Sequence, residues 1–475
     1  MLESIQDKLK QIFYLDLRML ACFRMGLGCI LLWDLWSRLD AFQAHYGLTG
    51  VLPPEKASLF AEFFAILPVY SLAIGDTYTW GLFIINGLAA VCLLLGIKTR
   101  WMTILCWLLL NSLHARNPVI LYGADRELAA LLFWSMFLPL GAKWSLDMKQ
   151  RCTWQGTTRI EGWASAGFIL QIAIIYFTSA WSKTGDSWSE GNAVWLALNI
   201  DAYTNNLGRH LLDFSRLLKG LTYGTLAIEW SAPLLLLCGN LAQLRRVGCW
   251  LLIGMQVGFL SFMQLGLFPL VSILGLIAIL PRKEVISHKS TFQNQRVMDR
   301  RLDYLAAFFV IMMLFWQTML IRHHFSSNKV LAKMPDSLQY ILKTTRLAQS
   351  WSMFSPAPPD TDGWFILEYR KENEETSVNL LNNHSPVEWG KPKSEEHLLN
   401  SDRWKEWFYK VYQRGLNWES TVRFLANDYL ASTQDHDTTG RLRLWFLEES
   451  AHQPNRPPFR HLLYESKLEH ETLTR

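Results

Sequence analysis

The residues best placed to do chemistry lie between Ile172 and Asn192, in the stretch IAIIYFTSAWSKTGDSWSEGN. An apolar, aromatic-rich helix is expected from Glu161 to Trp181. It delivers Lys183, which is followed by Trp188, Glu190 and Gly191. A lysine where a membrane helix reaches the interface has two ordinary explanations: its ammonium snorkels to water, or it belongs to a positive flank. Here it lies against a compact polar and aromatic run, so a functional site stands beside those two readings.

Other ionisable residues interrupt apolar sequence, where a charge is costly unless it faces protein, water or the interface. Arg24 and Asp34 lie about three helical turns apart in the first apolar run, on roughly similar faces. They read either as structural pairs with other helices or as a polar site inside a bundle. His114, Arg116 and Asn117 cluster before Pro118, and Asp125, Arg126 and Glu127 follow. This is either a polar connection between membrane helices or a mouth able to bind anions. Glu229 sits mid-helix shortly before Pro233, and a carboxylate buried there must be neutral or paired. No glycine-rich phosphate loop and no metal-ligand spacing is present, so neither nucleotide nor metal is expected. The seven cysteines all precede residue 250 without a CxxC pair, which suggests neither a disulfide framework nor a zinc site.

The elements that must position these residues are membrane helices. The chain has 475 residues, 50% hydrophobic and only 18% charged, against ~25% charge in soluble chains. Its apolar residues fall into runs of about 20, the length that crosses a bilayer. Spans are expected over about 18–37, 57–75 and 80–97, from Trp101, over 128–141, through the central helix, and over 221–239, 247–264, 266–281 and 304–321. The opening MLESIQDKLK does not read as a cleavable signal. By the positive-inside tendency, 282–303, Arg245–Arg246, Lys98–Arg100 and 141–160 are cytoplasmic, which puts Lys183 and the C-terminal region outside. Ten crossings would leave the N-terminus outside, against Lys8, Lys10 and Arg18. Nine crossings with one short, interfacial or re-entrant segment reconcile the charges. The net charge of +5 is read through this loop placement, and nucleic acid is not an expected partner.

From about residue 322 the membrane-length runs stop. Residues 364–370, 376–381 and 441–449 mix aromatic and β-branched with polar residues and read as strands. Residues 403–425 read as helical, and the tail after 450 starts as a proline-rich loop. The expected fold class is an all-α polytopic membrane helical bundle of about nine spans with a C-terminal β-rich or α+β solvent-facing domain. The division falls at residues 1–330 and 331–475.

Several segments, in order, resemble one family. DLRMLACFRMGLGCILLWDLWSRL, LHARNPVILYGADRELAALLFWSMFLPLGAKWSLD and LGLFPLVSILGLIAILP, with WSMFSPAPPDTDGWF after them, are similar to the HTTM (horizontally transferred transmembrane domain) family. These are bacterial membrane proteins related to the vitamin K-dependent gamma-carboxylase, and the resemblance covers about residues 10–370. In the carboxylases a lysine deprotonates vitamin K hydroquinone, which reacts with oxygen. The strong base that results takes a proton from a glutamate side chain, and carbon dioxide adds. The resemblance implies that Lys183 is the base and Trp188 its matched tryptophan, with Ser182 in place of a first lysine. Two family histidines are replaced, one by Pro118 in NPVILYG and the other by Gln256. Gln256 can exchange hydrogen bonds but cannot relay a proton at neutral pH, Pro118 can do neither with its side chain, and His114 lies a turn away.

Two functions follow. The first is a quinone-dependent oxidoreductase or carboxylase-like enzyme using a reduced, vitamin K- or menaquinone-like membrane quinone. Its catalytic residues would be Lys183 and His114, with Arg24, Asp34, Arg116, Asn117, Trp188, Glu229 and Gln256 shaping the pocket. The second is a non-catalytic membrane protein that binds a lipid, peptide or protein through its outside domain. Membrane lipids are expected partners in both, and an extracytoplasmic peptide or protein in the second. The expected location is the bacterial cytoplasmic (inner) membrane, with the C-terminal domain periplasmic. WSMFSPAPPDTDGWF has two readings: a seal between that domain and the membrane rim, or a lid above Lys183.

Overall fold

A computed structural model describes residues 12–57, 66–72, 74–150, 158–238, 241–282, 300–325, 334–372, 375–382, 384–392, 401–433, 439–452 and 456–468. A short strand, β1 (Leu15–Asp16), pairs antiparallel with β2 (Arg159–Ile160) and leads into α1 (Leu17–Trp36). The Asp16 carboxylate caps α1 by accepting the backbone N–H groups of Arg18 and Met19 at 2.7 and 3.4 Å. α2 (Asp76–Leu95) turns into α3 (Thr99–Arg116) at Gly96, whose φ of 74° is left-handed. A Cβ at Gly96 would lie 2.4 Å from the Ser145 Cβ, so conformation and space both demand glycine there.

α4 (Gly123–Ser135), α5 (Trp163–Ser182), α6 (Ser215–Leu236), α7 (Ala242–Phe262), α8 (Phe268–Ile279) and α9 (Arg300–Phe325) complete the bundle. α5 is central and packs against α4, α6, α8 and α9. It can approach α4 closely because Gly167 leaves room for the Trp134 ring, which a Cβ would meet at 2.2 Å. Among the described residues, four helices are long and apolar enough to cross a membrane: α1, α2, α5 and α9 through Ile321. Ile84 and Leu88 on α2, with Tyr304 and Ile311 on α9, stand exposed on outward faces, as lipid-contacting side chains do.

Most expected spans coincide with helices of the bundle, of which those four are long and apolar enough among the described residues, and α4 ends at Ser135 instead of continuing to 141. The exception is 57–75: residues 58–65 lie outside the described residues, and the described second half holds only a short 3-10 turn at Val69–Leu72, so the expected span does not continue through it. Most of the basic stretch 282–303 and of the N-terminal lead also lie outside the described residues.

The segment after α9 returns to the bundle. α10 (Asp336–Thr344) and the chain behind it place Leu342, Leu347 and Trp351 in the bundle's own apolar core. Beyond them lies an antiparallel sheet of order β5-β4-β3-β6-β7. Its strands are β3 (Thr361–Lys371), β4 (Val378–Asn379), β5 (Ser385–Pro386), β6 (Gly440–Ser450) and β7 (Phe459–Leu468). Two helices, α11 (Asp402–Gln413) and α12 (Glu419–Thr433), replace the single helix expected over 403–425. The left-handed Gly415 (φ 60°) separates them. The proline-rich tail leads into β7, an edge strand. The region is therefore α+β. Phe365, Phe408 and Trp418 form one core with Phe42, Leu113 and Ile120 of the bundle's end, so the domain is seated on the bundle by continuous apolar packing.

Candidate functional site

Lys183 follows the last residue of α5, where the backbone leaves the helix. Ser179, four residues earlier, shares its face, and α6 brings up Glu229. The Lys183 Nζ donates to Ser179 Oγ at 2.6 Å and to Glu229 Oε2 at 2.6 Å. Ser179 Oγ in turn donates to Glu229 Oε1 at 3.3 Å, closing a triangle. The ammonium also lies 5.1 Å from the centre of the Trp188 ring, within cation–π range. Both charged side chains are buried. Pro233 lacks the N–H that would bind the Glu229 carbonyl, so α6 is locally irregular at this carboxylate.

The segment 351–356 roofs the triangle. Trp188 Nε1 donates to the Phe354 carbonyl at 2.9 Å, the Ser182 and Ser355 hydroxyls meet at 2.7 Å, and the Gly185 N–H binds the Pro356 carbonyl at 2.9 Å. Trp351 is meanwhile buried in the bundle core. The segment thus seals the domain junction and at the same time bonds Ser182, Gly185 and Trp188, the residues that flank Lys183. Elsewhere on the same two helices, Trp230 of α6 forms an aromatic group with Phe177 and Trp181 of α5 at centroid distances of 5.5 and 6.1 Å, and stands exposed.

Two further polar layers lie in the bundle. In one, Gln256 donates to the Tyr176 hydroxyl at 3.1 Å and Ser272 donates to Glu127 at 2.6 Å. The other lies under the C-terminal domain. Arg38 bonds Asp34 at 2.9 Å and Asp125 at 2.6 Å, and Arg403 of α11 bonds the same two carboxylates at 2.7 and 2.6 Å. His114 Nε2 lies 3.4 Å from Asp125. Burial and Arg38 oppose the charge on Arg403, but Asp125 and Asp34 outweigh them and raise its pKa.

The structure therefore brings Lys183, Trp188 and Glu229 together, and it gathers Asp34 with Asp125 and His114. Of the remaining expected site residues, Gln256 bonds the Tyr176 hydroxyl and the other three serve the backbone. Arg24 donates to the Leu93, Leu94 and Trp144 carbonyls, capping the end of α2. Arg116 donates to Leu52, Tyr46 and Gly47, and Asn117 to His45, all carbonyls of one loop region. Ser179, Arg38 and Arg403 escaped the sequence reading. Ser179 and Arg38 were signalled by i,i+4 spacing to Lys183 and from Asp34, whereas nothing local tied Arg403 to a membrane carboxylate.

Among the described residues, one group of carboxylates has metal-like proximity: Asp201, Asp362 and Glu449 offer oxygens within 4.8 Å of one another. The Lys391 ammonium bonds both Asp201 and Glu449, so this cluster already holds a cation. Burial pushes the Asp362 carboxyl up to about 6.

Membrane-length helices with outward apolar faces, enclosing buried ion pairs, define a membrane protein. The family model of the HTTM domain matches residues 14–282, more than half of the 475 residues, and the chain belongs to the HTTM family. No curated protein and no solved structure matches it.

Proposed function

We propose that this HTTM protein is a quinone-dependent membrane enzyme, allied in chemistry to the gamma-carboxylases, in which Lys183 and Glu229 handle a proton. The observation that carries the reading is their 2.6 Å contact, buried at the end of the central helix. Ionisable residues in a membrane bundle are costly and mark proton or substrate paths. The donor set suits a phenolic hydroxyl: an amine, a carboxylate and a serine hydroxyl meet in one triangle, with the Trp188 ring 5.1 Å from the ammonium. A reduced membrane quinone would supply an acidic hydroxyl and the redox chemistry.

The chain's own residues supply the rest. Passing its proton to Glu229 leaves Lys183 as a neutral amine. The amine then accepts a new proton at Nζ, so the pair ends one proton richer with Lys183 cationic. Ser179 touches both partners and holds them in line, while Trp188 and the 354–356 roof exclude water. In this reading the bundle crosses the bacterial inner membrane nine times, with the Lys183 end and the C-terminal domain periplasmic. The test is oxidation of reduced menaquinone by the reconstituted protein with oxygen and bicarbonate. Lys183→Ala abolishing turnover while leaving insertion intact supports the assignment, and unchanged turnover in that variant sinks it.

A second reading, a non-catalytic protein that binds a lipid, peptide or protein partner, draws on two observations. The ammonium is held by hydrogen bonds to Ser179 and Glu229 and lies over the Trp188 ring. Gln256, in the place of a family histidine, bonds Tyr176 and cannot relay a proton. A peptide or protein retained reproducibly, with no quinone, would favour this reading.

A further inference from the structure

A cavity of about 250 Å³ opens where the bundle meets the C-terminal region, away from Lys183. Its walls come from α4, from Trp316 of α9 and from the chain at the end of α10. The lining carries three cations, Arg126, Lys343 and Arg346, and one carboxylate, Asp125. That carboxylate already accepts from both Arg38 and Arg403. Positive charge is thus in excess among the described residues that line the cavity. Burial, together with the neighbouring charge of Arg126, holds Arg346 down to about 9 against the opposing pull of Asp125. Arg126 also acts on Lys410 in the same direction. Like charges drawn around a polar cavity cost free energy unless an anion enters it.

The backbone is committed to this arrangement. Arg346 has φ of 63°, a left-handed conformation that costs a non-glycine residue and collects at binding sites. It is held by a bond from its Nε to Asn111, and its carbonyl accepts from Gln349 at 2.6 Å. The position is also interfacial. α10 exposes Tyr340 and Ile341 beside Lys343, and Trp316, on a helix of membrane-spanning length, donates to the Gln349 carbonyl at 3.0 Å. Aromatic and basic side chains at such a level lie among phospholipid head groups.

We propose that this cavity binds a phosphate group, with Arg126, Lys343 and Arg346 as charged donors and Ser350 and Gln349 beside them. Guanidinium forks match phosphate oxygens in pairs, and a third cation suits a group carrying more charge than a carboxylate. The shared chemistry is phosphate, presented either by an anionic phospholipid or as the free ion. The site does not depend on the Lys183 reading.

The full-length protein in neutral detergent tests this. Phosphatidylglycerol is titrated and its retention read by native mass spectrometry. Separately, inorganic phosphate is added against chloride of equal ionic strength and thermal unfolding is followed. The variant is Arg126→Gln/Lys343→Gln, at an exposed and a half-buried position. Retention of phosphatidylglycerol that falls at least about tenfold in the variant assigns the lipid head group. A phosphate-specific rise in unfolding temperature, lost in the variant, assigns the free ion. Wild-type protein showing neither response overturns the proposal, and this arm stands even if the variant fails to fold. Equal responses in wild type and a folded variant overturn it too.

Discussion

Arg403, in the first turn of a C-terminal-domain helix, donates to Asp125 in the first turn of α4 at 2.6 Å, and its second terminal nitrogen reaches Asp34 at 2.7 Å. With Arg38 the four side chains form a closed, balanced and buried quartet. Removing one cation leaves two buried carboxylates sharing the other, a loss of about 3–5 kcal/mol. Arg403→Ala should therefore lower the unfolding temperature and expose the C-terminal domain to limited proteolysis. Arg403→Lys should recover only part of the loss, because an ammonium lacks the planar fork that spans two carboxylates. Wild-type protease resistance in Arg403→Ala would remove the quartet from the account.

His45 predicts an acid sensitivity at the same junction. It is buried against the Trp404 and Trp407 rings, and among the described residues neither ring nitrogen has a hydrogen-bond partner. Burial, with Arg403, Arg38 and Arg116 nearby, lowers its pKa from 6.5 to about 3. The folded state thus binds this proton more weakly than the unfolded state. The stability is intact above the unfolded value near 6.5 and is lost as pH falls toward 3. By pH 5 the loss should reach about 2 kcal/mol. Unfolding of wild type and His45→Phe compared at pH 7 and pH 5 should show a steeper decline for wild type. Parallel declines would contradict the assignment.

Gly96→Ala should be costly despite adding one methyl group. The left-handed φ strains any side chain, and the new Cβ would meet Ser145 and the Arg24 guanidinium that caps α2. A loss of about 2 kcal/mol or more is expected. It would be read as a smaller folded fraction in detergent size-exclusion profiles, and an unchanged profile would argue against the tight turn.

The sequence made the membrane helices legible because a bilayer demands long apolar runs, and most expected spans coincide with helices α1 to α9. Lys183 and Glu229 each stood out as charges in apolar sequence, but their meeting was hidden by their separation of 46 positions along the chain. Only the packing of α6 on α5 reveals it. Arg403 was invisible for a related reason. A charge in soluble sequence is ordinary, and its partners lie 278 and 369 residues away. In the C-terminal domain, local pattern found β3 and β6, merged α11 with α12 across Gly415, and missed β7 behind a proline-rich approach.

The Lys183–Glu229 pair allows stability and function to be separated. Lys183→Met or Glu229→Leu alone leaves a buried charge without its partner and should cost about 3–5 kcal/mol. The double variant Lys183→Met/Glu229→Leu removes both charges and should recover most of that loss, giving a large coupling energy in a double-mutant cycle. Additive losses would mean that the two side chains do not depend on each other.

The most direct measurement is mass spectrometry of small molecules retained by the gently purified wild-type protein and by that double variant. A membrane quinone should be bound to the wild type and absent from the folded double variant, which would place the cofactor at Lys183. Phospholipid alone in both samples, or equal quinone in both, would contradict a quinone site at this lysine.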